Sequence, residues 1–133
     1  MLPASVFRPH GKFSIRVEGQ ILLTEVTGPW NRELVEFWAH QALQFAQQFR
    51  ADHPYVAVTE VYDSILCPPD ALQRIAQAVE YANQHLSCLG HCIIAGSNVD
   101  GRDIIRHQYE KIQLGQIFDN RDDAIRWARQ QLG

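Results

Sequence analysis

Tyr55-Val56-Ala57-Val58-Thr59-Glu60, continuing as Val61-Tyr62-Asp63-Ser64-Ile65-Leu66-Cys67-Pro68-Pro69-Asp70-Ala71-Leu72, is the stretch that decides the fold. An apolar run becomes a polar loop, and Pro-Pro-Asp then opens an amphipathic pattern. Pro69 suits the first turn of a helix, where its missing N–H costs nothing, and Asp70 complements the positive end of the helix dipole. Leu72, Ile75, Ala76, Val79, Ala82 and Leu86 follow at helical spacing and form the apolar face. A strand feeding a helix is the unit of an α/β sheet, and the turn between them is where a ligand or partner docks.

Towards the N-terminus, Phe13-Ser14-Ile15-Arg16-Val17-Glu18 alternates with period two, Gly19-Gln20 turns the chain, and Ile21–Thr27 follows. A two-residue link containing glycine predicts an antiparallel hairpin. Gly28-Pro29-Trp30 breaks the second strand, and Asn31 is a good N-cap with Glu33 in the first turn. The helix is predicted from Arg32 to about Arg50, with Leu34, Trp38, Ala42, Phe45 and Phe49 on one stripe, widened by Val35, Ala39 and Ala46. Ala51-Asp52-His53-Pro54 ends it, since the residue before proline avoids the helical region.

Towards the C-terminus, His91–Gly96 reads as a buried parallel strand and Ser97-Asn98-Val99-Asp100-Gly101 as a loop. Ile105, Tyr109 and Ile112 give a third helix its stripe, and Gln116-Ile117-Phe118 is a brief last strand. Asn120 caps a final helix with Asp122 and Asp123 in its first turn and Ile125, Ala128 and Leu132 facing inward. The order β-β-α-β-α-β-α-β-α predicts an α/β fold: a β-hairpin start, then βα crossovers, giving a mostly parallel sheet of about five strands with four helices. Residues 1–12 are expected to form a poorly ordered lead-in, and 13–133 one domain.

With 133 residues the chain is long enough to bury a proper core. Its net charge of −3, with acids interleaved as in Arg102-Asp103 and Arg121-Asp122-Asp123, provides no positive field for phosphate backbones, so nucleic acid is not an expected partner. No apolar run approaches the ~18–20 residues of a membrane span. The first ten residues lack the basic and apolar regions of a signal peptide, and three cysteines are an odd number. Both features predict reduced thiols and a cytoplasmic location.

The element order from about Phe13 to Leu132 resembles the STAS fold, and within it the small bacterial SpoIIAA-like proteins. The tail Gly115-Gln116-Ile117-Phe118-Asp119-Asn120-Arg121-Asp122-Asp123-Ala124-Ile125 is the most specific local match: a short strand, a capped turn, acidic residues and an alanine before the last helix. The resemblance implies a non-enzymatic regulatory or protein-interaction module. In the family's antagonists the third strand leads to Asp-Ser-Ser-Gly, whose serine is phosphorylated. Cys67-Pro68-Pro69-Asp70 falls in that place here and carries no hydroxyl, so the phospho-switch is not expected. Ser64, three residues upstream, reads as a turn former beside Asp63.

The carboxyl ends of parallel strands form a functional rim. That rim is expected to gather Trp30, Asn31, Tyr62, Asp63, Ser64, Asp70, Ser97, Asn98, Asp100 and Arg102, with Asp119, Asn120 and Arg121 completing the edge. The first reading is a docking surface for a protein partner on Tyr62–Pro69 and Ser97–Arg102. The alternative is a small-ligand binder, as in the related CRAL-TRIO proteins, with Trp30, Phe37 and Tyr62 as apolar walls. Arg102 and the Gly96-Ser97-Asn98 loop would then receive an anionic group. Trp30 and Phe37, off the main helical stripe, also suggest a homodimer contact.

A hydrolase built on Ser64 or Ser97 is the weakest reading, because no histidine reaches the rim and no Gly-x-Ser-x-Gly elbow exists. His85, Cys88, His91 and Cys92 are irregularly spaced, and His91 and Cys92 point to opposite faces of a strand, so neither metal nor cofactor is expected. Cys88 reads as a loop thiol and Cys92 as core.

Overall fold

The computed structural model describes residues 11–111 and 115–133, apart from the side chains of residues 105 and 109–111. Its elements are β1 (Lys12–Glu18), β2 (Ile21–Thr27), α1 (Arg32–Ala46), β3 (Tyr55–Tyr62), α2 (Pro69–His85), β4 (Cys88–Ala95), α3 (Arg102–Lys111), β5 (Gln116–Phe118) and α4 (Arg121–Leu132). The expected lead-in falls mostly on positions 1–10, outside the described residues, as do the Ile105, Tyr109 and Ile112 side chains of the expected α3 stripe. Lys12 is already paired, opposite Thr27.

The fold is α/β. One mixed sheet has the order β1-β2-β3-β4-β5. The hairpin β1–β2 turns at Gly19-Gln20 and is antiparallel, and every later pair is parallel. The helix starts follow from local chemistry. Asn31 Oδ1 accepts the Leu34 N–H at 3.1 Å, Pro69 occupies the first turn of α2, and Asn120 Oδ1 accepts the Asp123 N–H at 2.9 Å.

Strand β1 begins at Lys12 and β3 runs on to Tyr62, slightly beyond the sequence reading, and two boundaries differ further. Helix α1 stops at Ala46, not near Arg50, because Arg50 and His53 bond each other's backbone and turn the chain ahead of Pro54. Phe49 therefore leaves the helical stripe and stacks on Tyr55, ring centroids 4.8 Å apart. Strand β4 begins at Cys88, so Cys88 is a buried strand residue and not a loop thiol. A bulge sets Cys88 opposite Tyr55 but His91 opposite Ala57. The extra residue brings both Cys88 and His91 onto the face that carries α1 and α2.

Alternation along the strands then sorts the core. Ile21, Leu23, Val56, Val58, Cys92 and Ile94 pack against Ala124 and Ala128 of α4. The opposite face meets α1 and α2, and its core is divided. One cluster, around Trp30, Leu34, Val61, Ile65, Ile75 and Ile93, lies towards the carboxyl ends of the strands. The other, Leu22, Ala46, Phe49, Tyr55 and Cys88, lies towards their start. Among the described residues no helix is long and apolar enough to cross a membrane.

Candidate functional site

At the carboxyl ends of the strands the loops are tied to one another by backbone. Asp63 O accepts the Asp100 N–H and Asp100 O accepts the Ile65 N–H, both at 2.9 Å. Gly28 N–H donates to Tyr62 O at 3.1 Å. Only glycine fits at position 28, since a Cβ there would lie 2.2 Å from Ser64 O. Asp63 holds φ +67°, the left-handed region that Asp tolerates better than most residues. The rim is thereby fixed and filled.

The expected rim residues divide sharply. Trp30 is 5% exposed and belongs to the core, while Phe37 on α1 is 55% exposed, so the two do not share the second apolar surface read from the sequence. Tyr62 lies on the other face of the sheet, where its hydroxyl donates to Glu25. Three walls that point in different directions make no pocket. Ser64 is buried, and its Oγ accepts the Leu66 N–H at 3.1 Å, the turn role expected of it. Arg102 is bonded to Asp119 through one terminal nitrogen, with Arg106 nearby, while the buried Nε atoms of Arg102 and Arg106 have no hydrogen-bond partner among the described residues. Asn31 is spent on capping α1 and Asp70 accepts the Ala71 N–H, whereas Asp63, Ser97, Asn98 and Asp100 are exposed. This part of the rim presents carboxylates, which disfavours an anion.

On the α4 face, Glu25 is surrounded by Arg16, Arg121 and Tyr62, and Arg121 also binds Glu60. Burial raises the Glu25 pKa, but hydrogen bonds from Tyr62 and Arg16 together with the cations outweigh it and hold the carboxyl below its ordinary value.

The open space lies elsewhere. Between α1, α2 and the sheet is a cavity of about 340 Å³, floored by Leu22, Tyr55, Ala57, Cys88 and His91. It exists because the facing side chains are short. Ala39, Ala42 and Ala46 of α1, Ala78 and Ala82 of α2, and Ala57 of β3 all border it. Ala57 sits in the middle of the sheet's central strand, yet it is not fully buried, because the cavity opens to the surface there. At the mouth stand Gln77, Tyr81 and Arg74, whose Nε donates to Glu36 Oε1 of α1 at 2.8 Å. A smaller cavity of about 50 Å³ adjoins it past Trp38 and His91.

Two polar groups within the apolar walls are paired, whereas the buried Trp30 Nε1 beside the smaller cavity has no hydrogen-bond partner among the described residues. The Trp38 indole N–H donates to Thr24 Oγ1 at 3.1 Å, and His91 Nε2 lies 2.9 Å from Thr59 Oγ1. Burial pushes the Cys88 thiol up, so Cys88 is a poor nucleophile at neutral pH. Burial also drives Cys67 up to about 11, against the nearby Trp30 N–H, and Cys92 up to about 12. Among the described residues no group of His, Cys, Asp and Glu is arranged to hold a metal ion.

The sequence reading missed this cavity. Ala39, Ala42, Ala46 and Ala82 lie on the apolar stripes of the two helices and read as core positions, while nothing in the sequence pattern marks Ala57 or Ala78 as bordering open space. The fold and site define an α/β protein with a mixed five-stranded sheet and an alanine-lined cleft on one face. No family model matches the chain, and no curated protein matches its sequence.

Proposed function

We propose that this chain is a non-enzymatic, STAS/SpoIIAA-like domain that binds a small apolar molecule between α1 and α2. The observation that carries the reading is the cavity of about 340 Å³, where alanines of α1, α2 and β3 face one another among larger apolar residues such as Leu22, Leu43 and Val79. That volume is at the lower end for small-molecule sites, and the lining is apolar with a few polar groups, as such sites require. The ligand has an apolar body along Ala42, Ala57 and Ala78. A carboxylate or hydroxyl at its end meets Arg74 and Gln77 at the mouth. Catalysis is no part of this reading, because Ser64 is buried in a backbone bond and the thiols are held protonated.

Titration with anilinonaphthalene sulfonate, followed by displacement with octanoate, tests it. Saturable fluorescence enhancement is expected in the native chain, and its loss in Ala42→Leu/Ala78→Leu. Enhancement that persists in that variant while it remains folded would refute the site.

A second reading, docking of a protein partner at the rim, is favoured by the backbone ties of Asp63 and Asp100 and by the turn closed from Val99 N–H to Gly96 O, with Asp63, Ser97, Asn98 and Asp100 exposed. It needs no ligand. Its test is capture of a partner from source-cell lysate, lost on Asp63→Asn/Asp100→Asn and unaffected by filling the cavity.

A further inference from the structure

Strand β1 is an outer strand, and among the described residues nothing pairs with its free edge. Its residues alternate between exposed and half-buried along the whole length, with Phe13, Ile15 and Val17 turned to the α1 face and Lys12, Ser14, Arg16 and Glu18 to the other. Charges on an outer strand ordinarily discourage pairing with another chain. Here their order does the opposite for one partner, a second copy of the same strand.

We infer that two copies of this chain associate edge to edge through β1, antiparallel, about a two-fold axis at Ile15. Such an axis stands perpendicular to the sheet and keeps like faces together, so the apolar residues of both copies remain on the α1 side. With the axis at Ile15, Lys12 lies opposite the partner's Glu18, and Glu18 opposite the partner's Lys12. Phe13 meets the partner's Val17, and Ile15 meets the partner's Ile15, extending the half-buried row across the junction. Ser14 faces the partner's Arg16, whose guanidinium remains with Glu18 and Glu25 of its own copy. Moving the axis to Ser14 sets Lys12 against the partner's Arg16, and moving it to Arg16 sets that cation against itself. Directly opposed like charges destabilise a strand pair, and moving the axis to Phe13 or Val17 leaves only three strand residues paired, so charge order and length together select one register. The product is one continuous sheet with both α1–α2 clefts on the same face.

The experiment is sedimentation equilibrium of the full chain over a concentration series, with Lys12→Glu and Glu18→Lys. The native chain is expected to dimerise. Each single variant places two like-charged pairs across the junction and weakens the dimer roughly thirtyfold, two pairs each passing from attraction to repulsion. Mixing the two variants restores association as a heterodimer, since every opposed pair is again of opposite sign, and the double variant restores it as a homodimer. Circular dichroism checks that each variant is folded. A native chain that stays monomeric at every concentration overturns the inference. So does a dimer indifferent to the single variants, or a pair of variants that fail to associate when mixed.

Discussion

Ala57→Val is the most informative single change, because the sign of its effect depends on whether the α1–α2 cleft is open. Ala57 lies opposite Leu22 on β2 and His91 on β4, with the cavity above it. Valine adds two carbons at a position already in strand conformation. Buried against Ala42 and Ala78, they contribute about 0.8 kcal/mol each, or about 1.6 kcal/mol at full burial. Fixing the new side chain costs about 0.5 kcal/mol, which leaves a net gain of about 1 kcal/mol. For a chain of this size that raises Tm by about 4 °C. In a filled core the same substitution forces neighbours aside and loses about 1–3 kcal/mol. Urea denaturation measures the stability, and anilinonaphthalene sulfonate binding at a single protein concentration measures the remaining space. The expected result is a more stable chain that binds the probe more weakly. A destabilised chain with unchanged probe binding would refute the cleft.

Three further outcomes follow from other parts of the molecule. Arg74→Gln removes the cation at the mouth, so octanoate binding is expected to weaken roughly fivefold in calorimetric titration while octanol binding is unchanged. Gly101→Ala meets both a left-handed backbone, φ +79°, and Leu66 Cδ2 at 2.4 Å from the new Cβ. It is expected to lose about 2 kcal/mol or more, whereas Gly19→Ala, at φ +62° with open space around it, loses about 1 kcal/mol from strain alone. Glu25 has its folded-state pKa depressed, so it stabilises the fold above the ordinary carboxylate value of about 4.3 and loses that contribution as pH falls through the folded-state value. The stability difference between native chain and Glu25→Gln, followed by chemical denaturation, is therefore expected to be largest near neutrality and to vanish in acid.

The fold was legible because its signals are local. Glycine at the hairpin turn, Asn31 and Asn120 as caps and Pro69 opening α2 each constrain a few neighbouring bonds, and the strands between them alternate or run apolar. Boundaries were less legible where tertiary contact overrides pattern. Phe49 continues the helical spacing of α1, but stacking on Tyr55 takes it into the turn. Cys88 and His91 share a face only because of a bulge that their spacing does not announce.

The rim residues could be placed on their loops, yet their freedom could not. Arg102 and Trp30 are held by Asp119 and the core, partners in another loop or across the fold, whereas Ser64 is bonded within its own loop to Leu66, a turn role that its place beside Asp63 announced. The cleft was the least legible feature. An alanine at a helical core position reads the same whether its neighbour fills the space or leaves it empty, and only the separation of α1, α2 and the sheet decides between them.

The central claim is most directly tested by two-dimensional amide NMR of the full chain during titration with octanoate. The expected result is saturable shifts at Ala39, Ala42, Ala57, Ala78, Ala82 and Cys88, with the rim amides of Tyr62–Ser64 and Ser97–Asp100 unmoved. Shifts concentrated at the rim, or none at concentrations that saturate the probe, would contradict it.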